Sequence, residues 1–203
     1  MVQAPQTNFS SSSRSTALSF GLNAGAFHIL GGQLEEGLAI TELSVSVAGK
    51  QVGTYVTSGV LQVAPLYVES ACGQLPAFLC PFIVHKEIEC GDQALVAVGM
   101  YNLAVAHHVL GVMGQESHLM QAKLAYGYAM DILDGSSLLE PHGSLINLYL
   151  AICLNMANLL STVDNGKEES HIEWEATFEN AFRTIVPNLG CPVYRYFARR
   201  ADA

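Results

Sequence analysis

The chain is 203 residues long, half of them hydrophobic and only 13% charged, with a formal net charge of −9. That length allows one domain or two small ones, and so few charges, against about 25% in an ordinary soluble domain, imply a large core or an apolar surface that meets a partner. An acidic body repels phosphate backbones, which argues against a nucleic-acid partner.

The N-terminal stretch MVQAPQTNFSSSSRST lacks the apolar run of a secretory signal, and residues 1–14 read as a flexible polar lead-in. The cysteines are Cys72, Cys80, Cys90, Cys153 and Cys191. An odd count with no C-x-x-C implies reduced thiols and a place in the cytosol or nucleus. Cys72, Cys80 and Cys90 share a loop-like region near His85, but their spacing lacks the close ligand pairs of structural zinc. No metal and no cofactor are expected.

The first predicted helix is capped by Ser15 and runs through LSFGLNAGAFHIL to a stop at Gly31-Gly32. A second follows in QLEEGLAITELSVSV, with Glu35 and Glu36 at the positive end of its dipole. Thr41, Leu43, Val45 and Val47 alternate as a strand would, so this helix is expected to end near Ser44. Residues 15–47 form one hairpin.

Residues 48–91 hold three of the seven prolines, three of the five cysteines and several short β-like runs, AFLCPFIVHKEI among them. They are too long for a plain loop in a compact domain. The segment is expected to be an irregular insertion, either with short strands of its own or laid along the helices.

Asp92 caps a third helix, ALVAVGMYNLAVAHHVLG, which is apolar on nearly every side and so should be buried on most faces. Residues 111–116 turn the chain, and Ser117 caps HLMQAKLAYGYAMDIL. Ser144 opens SLINLYLAICLNMANLLSTV, Asp164-Asn165-Gly166 turns, and a Ser170/Glu173 capping box starts HIEWEATFENAFRTI, which Pro187 breaks. Residues 92–187 therefore hold two more hairpins. Residues 188–203 form a tail that carries Arg195, Arg199 and Arg200. Two uncharged runs, Gln93 to Gln115 and Pro141 to Val163, are long enough to span a bilayer. Both contain Asn and neither has the basic flank that sets orientation, so burial between hairpins explains them more simply.

The three hairpins repeat. Leu22-Asn23-Ala24-Gly25, Tyr101-Asn102-Leu103-Ala104 and Leu154-Asn155-Met156-Ala157 share an Asn between apolar neighbours. On the second helices, Ala122/Tyr126/Ala129 corresponds to Trp174/Phe178/Ala181 and to Gly37/Thr41/Ser44 at i, i+4, i+7. This pattern resembles the tetratricopeptide repeat (TPR), whose first helix carries a Leu-Gly and whose second carries small and aromatic residues at that spacing. Gly25, Gly32 and Gly37 fit its glycine and small-residue positions, whereas the second and third turns are longer than the family's and Trp174 stands where the family has a small residue. The Tyr-Asn-Leu-Ala-x-Ala-His-His run is also similar to a divergent TPR-like group of algal type whose function is unsettled.

The resemblance implies an all-α fold, a right-handed superhelix of three hairpins with a groove lined by their first helices. It places Asn23, Tyr101, Asn102, Val105, His108, Asn155 and Asn158 on or near that groove. Asn carries both a donor and an acceptor, so these side chains suit either gripping an extended peptide or tying neighbouring helices together. The cochaperone members of the family hold a C-terminal carboxylate with cations on the first helices. Here those positions are Ser19, Leu22, Val98, Tyr101, Ala151 and Leu154, so that ligand is not expected.

No H-E-x-x-H, Gly-rich phosphate loop or G-x-S-x-G is present. His107 and His108 point about 100° apart on a helix and do not share a metal easily. The expected function is thus non-enzymatic: a scaffold or adaptor that binds a protein or peptide, with self-association as a further option and no membrane partner. A small hydrolase or redox protein using Cys and His is the alternative, and a membrane-embedded helical protein the third.

Overall fold

The computed structural model describes residues 11–49, 61–63, 77–84, 92–134, 144–163 and 170–185. Residues 1–10 of the lead-in, Cys72, Cys90, Cys191, His85, the 164–166 turn, Pro187 and the C-terminal tail lie outside them, whereas residues 11–14, expected in the flexible lead-in, are the first turn of a helix. The described chain is all-α: α1 (Ser11–Leu30), α2 (Leu34–Gly49), α3 (Asp92–Val112), α4 (Ser117–Asp134), α5 (Ser144–Val163) and α6 (Ser170–Ile185). Two three-residue strands, β1 (Leu61–Val63) and β2 (Phe82–Val84), join α2 to α3.

Each odd helix packs on the even helix that follows it, and α1, α3 and α5 also meet one another in sequence order. The first two hairpin turns close in the same way. At Gly32 (φ 77°) the N–H donates to the Ile29 carbonyl, and the next N–H, of Gln33, reaches back to His28. At Gly114 (φ 103°) the N–H donates to Gly111, and that of Gln115 to Leu110. Both are Schellman caps, which need the left-handed backbone that glycine adopts without strain.

α2 runs to Gly49, five residues beyond the end expected at Ser44. Its hydroxyls are accommodated by the helix itself: Thr41 Oγ1 donates to the Gly37 carbonyl at 2.7 Å and Ser44 Oγ to Ile40 at 2.8 Å. Packing outweighs the weak helix propensity of Thr, Ser and Val, because Leu34, Leu38 and Thr41 are buried against the rest of the hairpin. Gly25 and Gly37 let α1 and α2 approach backbone to backbone. A Cβ on Gly25 would lie 3.2 Å from the Gly37 carbonyl oxygen, and one on Gly37 would lie 3.1 Å from the Ile29 nitrogen.

The stripes read from sequence face inward. Ala122, Tyr126 and Ala129 are fully buried, and Phe178 and Ala181 are buried with them. Trp174 is only partly buried and packs at the edge of the core. Gln93–Val112 and Leu145–Val163 are long and apolar enough to cross a membrane, but 72% and 78% of their apolar windows are buried within the fold.

β1 and β2 pair antiparallel, with Gln62 opposite Ile83. The described stretch leading into β2, residues 77–81, has no regular structure and is buried throughout. Residues 77–84 thus form one extended strip that lies along the first helices of the hairpins.

Candidate functional site

The recurring asparagines hold this strip. Asn102, on α3, accepts the Phe82 N–H at 2.8 Å and donates Nδ2 to the Phe82 carbonyl at 2.9 Å. Asn155, on α5, does the same for Phe78 at 2.6 and 2.9 Å. Asn23, on α1, does so for Val84 at 2.7 and 2.6 Å. Each side-chain amide satisfies both backbone groups of one residue. That task needs an acceptor and a donor on one short planar group, which Asp, Ser and Leu do not offer. The pairing also settles the amide orientation, since a flip would set donor against donor and acceptor against acceptor.

The strip runs against hairpin order, with Phe78 at the third hairpin, Phe82 at the second and Val84 at the first. All three are even-numbered. In extended chain, alternate residues turn both backbone groups to the same edge. Phe82 and Val84 therefore face the helices, which leaves the backbone of Ile83 turned towards β1. Between the second and first hairpins the ladder advances two residues, about 7 Å of extended chain; between the third and second it advances four, at most about 14 Å. The closer step sits where Gly99 of α3 meets α1. A Cβ there would lie 2.8 Å from a Leu22 methyl.

A buried polar network continues behind Asn155. Tyr101 Oη donates to the Phe78 carbonyl at 2.8 Å, so that oxygen accepts twice. The second hydrogen of Asn155 Nδ2 goes to Tyr126 Oη at 2.9 Å, and Tyr126 in turn lies 3.4 Å from His108 Nδ1. Burial pushes the Tyr126 phenol well above its usual range, with the Asn155 hydrogen bond opposing. Burial likewise drives the His108 imidazole down to about 4, opposed in part by Asn158. The network is neutral at physiological pH. Apolar contacts seat the strip above it: the Phe82 ring meets Tyr101 edge-on with centroids 5.0 Å apart, and Phe78 lies 6.0 Å from Phe82.

Of the seven residues expected at the groove, Asn23, Asn102, Asn155 and Tyr101 contact the strip directly. His108 stands behind them through Tyr126, while Val105 and Asn158 are buried among the helices. Only Asn23 is partly exposed. The sequence offered a segment laid along the helices as one reading of residues 48–91, but it singled out neither the strip within that segment nor a polar role for Tyr126. It also left His118 unassigned, whose Nδ1 lies 2.7 Å from that of His107 across the α3–α4 hairpin. Burial, and then the charge of His118, lowers the His107 pKa.

Two thiols lie among the described residues, Cys80 within the strip and Cys153 on α5, and both are buried. Burial pushes the Cys153 thiol far up, aided by Asp134, and raises the neighbouring Tyr149 to about 12. Cys153 has neither the exposure nor the low pKa of a reactive cysteine, and Cys80 is likewise closed off from solvent. Among the described residues no three metal-ligating side chains cluster. No family model, curated protein or solved structure matches the chain.

Proposed function

We propose that this chain is a TPR-like protein-interaction scaffold, a right-handed stack of three hairpins that holds extended polypeptide against its first helices. The observation that carries the reading is the asparagine ladder. Three side chains at equivalent positions of three hairpins each bind both backbone groups of one extended residue. The glycine contact between α1 and α2 and the buried stripe on α4 support the TPR-like packing. The acidic charge disfavours nucleic acid, and the burial of both long apolar helices favours an aqueous setting.

The ladder opens at its first-hairpin end. Phe20 and Phe27 flank Asn23 on α1 and are 68% and 60% exposed, an apolar margin where a partner chain meets the groove. The test is a photo-cross-linking residue in place of Phe27, followed by affinity capture from the native cell and sequencing of the cross-linked peptide. A partner peptide joined at position 27 supports the reading. Partners that cross-link only from the outer faces of α4 or α6 overturn groove binding.

A further inference from the structure

The ladder touches only backbone. All six bonds from the asparagine amides to the strip go to N–H and C=O groups of Phe78, Phe82 and Val84, so the grip accepts any extended residue except proline, which has no N–H to donate. Identity is read by the side chains, and those of Phe78, Phe82 and Val84 are all buried. The strip is remote in sequence from two of its three clamps, 61 residues from Asn23 and 77 from Asn155. It is a guest on the helices and not a continuation of them.

We infer that residues 77–84 are an internal ligand of the groove. Its external ligand is an extended partner segment with an aromatic residue, a second aromatic four residues on, and a β-branched aliphatic two beyond that, in the register of Phe78, Phe82 and Val84. This rests on the reading of the groove as a holder of polypeptide. Emptying the groove would expose a large apolar surface, but exchange does not leave it empty: an incoming segment of the same pattern remakes the same bonds and the same burial. What opposes exchange is the effective concentration of the strip, which belongs to the same chain and so competes at roughly millimolar strength. A partner wins by binding better than the strip or by being tethered nearby itself.

The experiment uses the full chain and a fluorescein-labelled peptide of residues 75–87 carrying Cys80→Ala. The wild-type chain is expected to bind the peptide only near millimolar concentration. Phe82→Ala in the chain weakens the internal ligand and leaves the clamps intact. It is expected to bind the peptide at least about 100-fold more tightly, the affinity equivalent of one truncated core phenylalanine, and to gain thermal stability from it. Adding Asn102→Ala to that variant should remove most of the gain. If Phe82→Ala is unfolded alone, recovery of its helical circular dichroism on adding peptide is the same supporting result. Unchanged affinity with no effect on melting or helicity overturns the inference. So does a Phe82→Ala chain that dimerises without peptide, which would put a second copy in the groove. In the wild-type chain, Cys80 should react with a thiol reagent ahead of Cys153; equal rates mean that the strip leaves only on global unfolding, which also overturns it. A cellular partner cross-linked at position 27 would survive any of these failures as evidence for the scaffold. Peptide rescue without such a partner would leave the groove chemistry standing alone.

Discussion

Asn102 and Phe82 exchange two hydrogen bonds, at 2.8 and 2.9 Å, in a site with no solvent access to either residue. A side chain here completes the pairing that a neighbouring strand would otherwise supply.

Removing that side chain leaves a buried N–H and a buried carbonyl unpaired, each costing roughly 1–3 kcal/mol. Asn102→Ala should therefore destabilise the chain by about 3–5 kcal/mol in urea titrations. Asn23→Ala, at the partly exposed end of the ladder where water can substitute, should cost only about 1–2 kcal/mol. Equal losses at the two positions would contradict a graded ladder.

Glycines should respond to alanine with opposite signs. A Cβ on Gly37 would come 2.6 Å from the Ile29 side chain and 3.1 Å from its backbone nitrogen, so Gly37→Ala forces α1 and α2 apart and should cost about 2 kcal/mol. A Cβ on Gly127 meets nothing within 4 Å, and Gly127→Ala should add about 0.5–1 kcal/mol by restraining the unfolded chain. Thermal melts of the two variants give the comparison.

The buried imidazole makes stability depend on pH. His108 titrates near 6.5 in the unfolded chain but only at about 4 when folded. Between those values the unfolded state binds the extra proton, so stability present above pH 6.5 is lost as pH falls towards 4, by roughly 3 kcal/mol for a shift of this size. His107, also lowered, adds in the same sense. Denaturation midpoints measured from pH 7 to pH 4 should fall steeply for the wild type and less so for His108→Gln. Parallel curves would show that His108 is not a source of the slope.

Cys153 should stay unmodified by thiol reagents at pH 8 in the folded chain and react fully in denaturant, as mapped by peptide mass spectrometry. Its thiol is buried and pushed far above the usual range. Rapid native labelling at Cys153 would revive a Cys/His reaction as the function.

The recurring asparagines were legible as a pattern, because an Asn between apolar residues stands out when it returns in each hairpin. Their partner was not. The strip AFLCPFIV has no helical period, and a Pro interrupts it. Nothing local distinguishes a strip buried against helices from an irregular loop. The extra length of α2 was also hidden, since alternating Thr, Leu and Val favour a strand until tertiary contacts bury one face.

Taken alone, then, the sequence determined what short-range physics controls: the existence of six helices, the glycine stop at 31–32, the turn within 111–116, and the stripes on the second helices. Each depends on contacts within a few residues. The tertiary structure decided what lies in the groove. That depends on pairing residues 20, 61 and 77 positions apart, whose closure is set by the stacking of all three hairpins and leaves no trace in any local window.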